Sequence, residues 1–491
     1  MKKIKQSKNT EIKSTKNKAG ISSALIFIVI IISIVSGAAF ALKDKHDAST
    51  VETINSEYVN LNAKSDAWSC PYLVSGDTDN SNALIIYNPS DNVSNVNVKL
   101  YSVEGVLIKE KDIEVKPKVR ISDPIFSYGA NLNASAIVES FGSPMVVYRS
   151  LSLSDGQEII PCVKTPSSII ELDNLVTKRN TNSYLYLNNP HNESVVVDIK
   201  AKLVDTSTDP FGIVLDDSRG IVIGAFGRTD VDLQAMFGRY SLLNITVVSR
   251  SGFISGEALV DYKDSDVTNG QTIVTSSYSE NMSDTSYLFT KSPANIFAQS
   301  NTLASSILNV ASIGTENRLI NSEEQTLGAG ATSSIVDLGT EFGFHVVKTK
   351  VKHNKAKKTK SDTERVDEII KSNKPFISIV SSYLTNEIVS ASASTSSKSK
   401  NVILAAKDSD TVAIYNTSKN KSKVSISFIG DTKEPQKNIE IDGNSLITFS
   451  LNDTETSPNI VILSIDSTQE IVVAGTRIGF SGVTNGVYVK K

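Results

Sequence analysis

The sequence predicts an all-β protein, built as tandem immunoglobulin-like β-sandwich modules after one N-terminal transmembrane helix. Three features predict it: an uncharged apolar run near the N-terminus, short alternating segments rich in Val, Ile, Tyr and Thr over the rest of the chain, and a strand pattern that returns four times.

The apolar run spans Ile21 to Leu42, 22 positions without a charge. At about 1.5 Å per residue, a helix of that length crosses a bilayer core of roughly 30 Å. Lys2, Lys3, Lys5, Lys8, Lys13, Lys16 and Lys18 precede it against the single acid Glu11, and a positive flank stays cytoplasmic. Residues 1–20 therefore read as a basic cytoplasmic tail, 21–42 as a span held in the lipid bilayer, 43–64 as a polar spacer, and the remainder as extracytoplasmic. The stretch Ala39-Phe40-Ala41 also fits a signal-peptide cleavage site, but the run exceeds the usual signal core of about 7 to 15 residues, which favours an uncleaved anchor. Both readings export the same region.

A chain of 491 residues exceeds what one hydrophobic core usually supports, and 40% hydrophobic with 21% charged residues is the composition of a folded protein. The net charge is −3, and since the tail is basic the exported part is mildly acidic, which argues against nucleic acid as a partner.

The fourfold pattern begins with an apolar strand running into Asn88, Asn189, Asn309 or Asn416, at intervals of 101, 120 and 107 residues. An alternating strand follows, then a hairpin-like pair such as Ile113-Glu114-Val115 with Val119-Arg120-Ile121, then two closing strands such as Ala136-Ile137-Val138 with Met145-Val146-Val147. About seven short strands per 100 residues is the density of an immunoglobulin-like sandwich. The modules are placed at 65–165, 166–280, 281–400 and 401–491. The Asn-Pro steps read as turn chemistry, because Asn opens an Asx turn and Pro ends the ladder.

Cys70 and Cys162 are the only cysteines, both in the exported part, and they bracket one repeat. An oxidising compartment permits them to form a disulfide, the reading favoured over two buried thiols. The basic tail, the span, Cys70-Pro71, the Asn88-Pro89 strand end, the Ser143 to Val147 stretch and Pro161-Cys162 together resemble uncharacterised single-pass envelope proteins of actinobacteria, mainly over residues 66–165. The resemblance implies a cell-envelope role without an assigned activity. The Lys- and Asn-rich composition departs from the alanine-rich character of such proteins.

Catalytic signatures are sparse. The four histidines, His46, His191, His345 and His353, have no zincin spacing, and no nucleophile elbow, phosphate loop or dinucleotide fingerprint stands out. Asp77 to Asn82 gathers oxygen ligands but lacks the bidentate Glu of a calcium loop, so it reads as a polar turn. No catalytic residue, metal or cofactor is assigned. The most unusual stretch carries Lys348, Lys350, Lys352, Lys355, Lys357, Lys358 and Lys360 without an acid among them. It reads as the start of a solvated insertion at 348–374 in the third module, with contact to anionic wall polymer as its functional expectation. The expected function is a non-catalytic, membrane-anchored scaffold or binding protein of the cell envelope, touching wall polymer or other envelope proteins. The alternatives are an enzyme or enzyme accessory acting on envelope polysaccharide, and a surface adhesin.

Overall fold

A computed structural model describes residues 65–488 apart from 77–81, 154–155, 178–180, 204–212, 215–217, 240–242, 263–270, 275–284, 292–293, 301–305, 314–318, 328–331, 338–341, 352–376, 386–387, 394–397, 408–409, 430–436, 452–459 and 478–482, and the single positions 165, 176 and 486. The expected tail, span and spacer lie outside the described residues, as does Asp77 to Ser81 of the oxygen-rich turn. Among the described residues no helix is long and apolar enough to cross a membrane.

The first module holds β1 (Ser65–Val74), β2 (Ala83–Tyr87), β3 (Ser94–Tyr101), β4 (Leu107–Val115), β5 (Arg120–Pro124), β6 (Asn133–Phe141), β7 (Val146–Leu153) and β8 (Gly156–Pro161). They form two antiparallel sheets, ordered β1-β6-β3-β4 and β5-β2-β7-β8. Both sheets contribute to one core, with Trp68, Val98 and Val138 from the first and Leu84, Ile86 and Val147 from the second. Trp68 satisfies its indole N–H by donating to the Met145 carbonyl at 3.0 Å.

The second module repeats this with β9 (Ile169–Leu175), β10 (Thr181–Asn188), β11 (Val195–Leu203), β12 (Ile213–Val214), β13 (Ser218–Ile223), β14 (Arg228–Asp232), the short helix α1 (Leu233–Phe237), β15 (Leu243–Ser249), β16 (Ser255–Tyr262) and β17 (Gln271–Val274). Asp232 caps α1 by accepting from the Ala235 N–H. The sheets are β9-β15-β11, with β12 and β13 both on β11, and β14-β10-β16-β17. The third holds β18 (Thr285–Lys291), β19 (Ala294–Ser300), β20 (Ser306–Ile313), β21 (Leu319–Leu327), β22 (Thr332–Asp337), β23 (Phe342–Val351), β24 (Ile377–Thr385) and β25 (Ile388–Ala393), in sheets β18-β23-β20-β21 and β22-β19-β24-β25. The fourth holds β26 (Ser399–Lys407), β27 (Asp410–Asn416), β28 (Ser422–Ile429), β29 (Lys437–Ile441), β30 (Leu446–Ser450), β31 (Ile460–Arg477), β32 (Val483–Asn485) and β33 (Val487–Tyr488). Here β31 serves both sheets, pairing β26 and β28 with its first half and β27 and β32 with its second. One topology therefore appears four times: strands 1-6-3-4 against strands 5-2-7-8.

Two expectations need correction. The hairpin-like pairs are arches, because β4 and β5 lie in different sheets; the closing strands β6 and β7 are likewise divided between the two sheets. Alternation fixes which face of a strand is buried but not which sheet it joins. The backbone of the arch after the fourth strand turns at a left-handed residue in three modules, Lys118, Phe226 and Asn444, with φ of 58°, 54° and 52°. The second correction concerns Asn309, which lies within β20 opposite Glu324 and Lys348 rather than ending a second strand. The second strand of that module is β19, and the residue following it, Asn301, lies outside the described residues.

The repeated asparagine explains the arches. Asn88 is fully buried; its amide donates to the carbonyls of Asn92 at 2.8 Å and Val115 at 3.0 Å, and its Oδ1 accepts from the Ser90 N–H at 2.9 Å. Asn189 donates to Glu193 and Gly224 and accepts from the His191 N–H, while Asn416 donates to Asn420 and Asp442 and accepts from the Ser418 N–H. Each side chain thus ties the end of the second strand to the end of the fourth, satisfying backbone groups that the arch takes out of a ladder.

The modules also contact one another in a closed cycle. β1 packs on β10 and β16, β17 on β25, β24 on β9, β18 on β31, and β26 on β8. The first and last modules meet through Ile403, Ala405 and Ile462, which join the core cluster of the first module, and through the Tyr148 hydroxyl, which donates to the Ile403 carbonyl at 2.9 Å. A separate cluster joins Tyr287 and Val346 of the third module to Tyr415, Leu446 and Val472 of the fourth.

Candidate functional site

Of the residues singled out in the sequence, Cys70 and Cys162 form a disulfide with Cα atoms 4.7 Å apart. Cys70 sits on β1, an edge of one sheet, and Cys162 directly follows β8, an edge of the other, so the bond closes one open side of the sandwich. It is structural in position. Lys348 and Lys350 lie within β23, where Lys348 is opposite Thr285 and Asn309 and Lys350 is opposite Ile307. The ladder continues to Val351, so Lys348 and Lys350 are strand residues rather than part of a loop; Lys352, Lys355, Lys357, Lys358 and Lys360 lie outside the described residues. No group of three or more His, Cys, Asp or Glu among the described residues is arranged to hold a metal ion.

The structure assembles two polar sites instead. The first is the junction of modules one and two. Arg149 on β7 and Glu257 on β16 form an ion pair in which both side chains are almost fully buried. Burial pushes the Glu257 carboxyl up, and the charge and hydrogen bond of Arg149 oppose that shift. Beside it the Ser69 and Ser255 hydroxyls are 2.6 Å apart, and the Asn188 amide donates to Ser69 at 3.0 Å. Arg228 on β14 reaches into the first module, donating to the Ala134 carbonyl at 2.7 Å and Asn133 Oδ1 at 2.6 Å while Asp230 holds it at 2.6 Å. Its guanidinium lies 5.4 and 5.3 Å from the rings of Tyr72 and Tyr186, which stack at 4.2 Å. Tyr101 stacks on Phe226 at 4.8 Å, fixing the β3–β4 hairpin against the arch of the second module.

The second site is an open groove of about 640 Å³ on the fourth module. Its floor is one register row across four strands: Asn401 opposite Asp466, Asp466 opposite Ser425, and Ser425 opposite Asn438. Residues directly opposite in adjacent strands project from the same face. The rows beyond it on that face, Ile403-Ser464-Ser427 and Ala405-Ile462-Ile429, carry the apolar contact with the first module. The groove therefore begins where that seam ends. Lys423 lies opposite Glu440, and both line the groove together with Lys400, Ser467 and Thr468. Lys421 pairs with Glu440 at 2.8 Å and holds its carboxyl below the usual range.

Neither site was legible in the sequence, since each gathers residues from distant strands. A weak signal existed for the groove: Asp466 interrupts the apolar Ile460 to Ile465 run. No known protein family matches the chain, and no curated protein matches it.

Proposed function

We propose that the protein is a non-catalytic scaffold and binding protein of the cell envelope, anchored by a helix at 21–42, with immunoglobulin-like modules outside the membrane. The observation that carries this reading is the closed cycle of module contacts. A buried ion pair and an inserted arginine join modules one and two, and an apolar seam joins modules four and one. Welding sandwich modules in this way produces a rigid body that presents fixed surfaces, which serves recognition and spacing. The Cys70–Cys162 disulfide supports an oxidising compartment, and the resemblance over 66–165 to actinobacterial envelope proteins supports the same address. Lysines 352–360 supply an electrostatic contact with anionic wall polymer in this reading.

Protease treatment of intact cells and of spheroplasts tests the location. The region after residue 43 should be cleaved from outside, while untreated cells yield the full-length chain at the membrane. Protection of the whole chain in spheroplasts, or recovery of the full-length protein in the soluble fraction, overturns the reading.

A further inference from the structure

We propose that one end of the first module rests on the bilayer, seating a preformed apolar tip at the lipid headgroup boundary. The inference rests on the anchored reading above and adds which surface of the modules meets the lipid. Strand register defines that end. Ser65, the first residue of β1, is opposite Phe141 at the close of β6, and Phe141 is also opposite Asn95 near the start of β3. Val115 closes β4 opposite Ser94, and Tyr87 closes β2 opposite Arg120 and Val146, which open β5 and β7. The turns at 88–93, 116–119 and 142–145 therefore gather at the end where the chain enters from the expected anchor.

Each of these turns carries or adjoins an exposed apolar side chain, Val93 at 51%, Val119 at 38% and Phe141 at 54%. Single apolar residues scattered over a surface need no partner, but here three are drawn to one tip. The Ser94 hydroxyl donates to the Phe141 carbonyl at 3.1 Å, the Lys118 N–H to the Asn88 carbonyl at 3.0 Å, and the Asn88 N–H to the Val119 carbonyl at 3.1 Å. The occupant follows from position and charge. Residues 43–64 separate Ser65 from the expected span, and those 22 residues reach at most about 75 Å when fully extended, so the bilayer stays within reach and the contact is intramolecular. The three turns carry Lys116 and Lys118 against Asp91, a small positive excess that anionic headgroups attract. Apolar side chains beside basic ones suit the boundary between headgroups and acyl chains. The opposite end of the module is committed elsewhere, since its β3–β4 hairpin meets the second module through Tyr101 and Phe226.

The test reconstitutes the full chain in vesicles of phosphatidylcholine and phosphatidylglycerol with plain or brominated acyl chains. Flotation after an alkaline wash reads the anchor. Quenching of an added tryptophan reads the tip, against the constant background of the single native tryptophan, the buried Trp68. Phe141→Trp and Val93→Trp should each lose about half of the added emission in brominated lipid, as for a side chain at the acyl boundary. Val106→Trp, at an exposed position of the hairpin on the opposite end, should lose little. If the chain floats but Phe141→Trp and Val93→Trp are quenched no more than Val106→Trp, the proposal is overturned and the anchor stands. Blue-shifted emission of the tip variants without quenching by bromine means that protein, such as a second copy, covers the tip, and it also overturns the proposal. Failure to float overturns the anchored reading and the proposal with it.

Discussion

At the scale of single residues, the buried asparagines carry the clearest energetic consequence. Replacing Asn88 by Ala leaves the buried Val115 carbonyl and the partly buried Ser90 N–H without this partner. Unsatisfied buried groups cost about 1 to 3 kcal/mol each. A loss of about 2 to 4 kcal/mol is therefore expected in urea unfolding, against little change for the exposed neighbour Asn92→Ala. Asn88→Asp should be no milder, because a carboxylate keeps the acceptor but sets negative charge against two carbonyl oxygens. Gly105 gives a second test. Its φ is 85°, and a Cβ there would lie 2.1 Å from the Ala225 carbonyl oxygen of the next module. Gly105→Ala should thus loosen the junction of modules one and two, read as faster proteolysis between them. His191 gives a pH dependence. Burial holds its imidazole below the usual range, against the opposing backbone interaction with Phe253. The fold therefore favours the neutral ring, so its contribution is fully present above the unfolded value of about 6.5 and declines as pH falls below it. Thermal melts from pH 8 to pH 5 should show a decline that is smaller in His191→Gln; identical profiles would refute this assignment.

At the scale of strands and connections, what was legible and what was not divide along a physical line. Alternation such as Ser422 to Ile429, where every second side chain is buried, is a local property and marks a strand directly. Sheet membership is not local: Ile113 to Val115 and Arg120 to Ile121 read as a hairpin, yet they belong to opposite sheets. The determinant is Asn88, whose partner Val115 is 27 residues away, so the signal was present but its meaning was tertiary. The third module was misaligned for a related reason, since a strand ending near an Asn is a low-specificity mark and Asn309 satisfied it by chance. The disulfide was legible because two cysteines allow one pairing. Reducing it should lower stability by at most about 4 to 5 kcal/mol on the chain-entropy view, measurable as a drop in urea midpoint for Cys70→Ala/Cys162→Ala. The lysines beyond β23 carry a separate expectation. If these lysines serve only an electrostatic contact, Gln at 352, 355, 357, 358 and 360 should leave melting nearly unchanged. It should nevertheless reduce retention on anionic wall polymer, with wild-type retention falling as salt rises. Salt-independent retention would remove the electrostatic role.

At the scale of the whole molecule, the cycle of contacts makes the last module dependent on the first. A linear array of sandwiches would let each module move on its linker, whereas here the fourth returns to the first across a sequence separation of 255 residues. The seam combines the hydrogen bond from Tyr148 to the Ile403 carbonyl with the apolar contact of Ile403, Ala405 and Ile462. These terms are unequal. Tyr148→Phe removes a single buried donor, and since the Ile403 carbonyl is also part of a strand ladder, a cost of about 1 kcal/mol is expected without opening of the seam. Ile403→Asp places an unpaired carboxylate in the apolar contact, where burying a charge without a partner is strongly unfavourable. Its side chain belongs to the seam, whereas the fourth module's own core uses Val402 and Leu404 on the opposite face, so the module should stay folded while it detaches from the first. Small-angle scattering should then show a larger radius of gyration for Ile403→Asp than for wild type, with Tyr148→Phe indistinguishable from wild type. Strand content by circular dichroism should be the same in all three. An unchanged radius for a folded Ile403→Asp protein would mean that the remaining contacts hold the cycle closed without this seam.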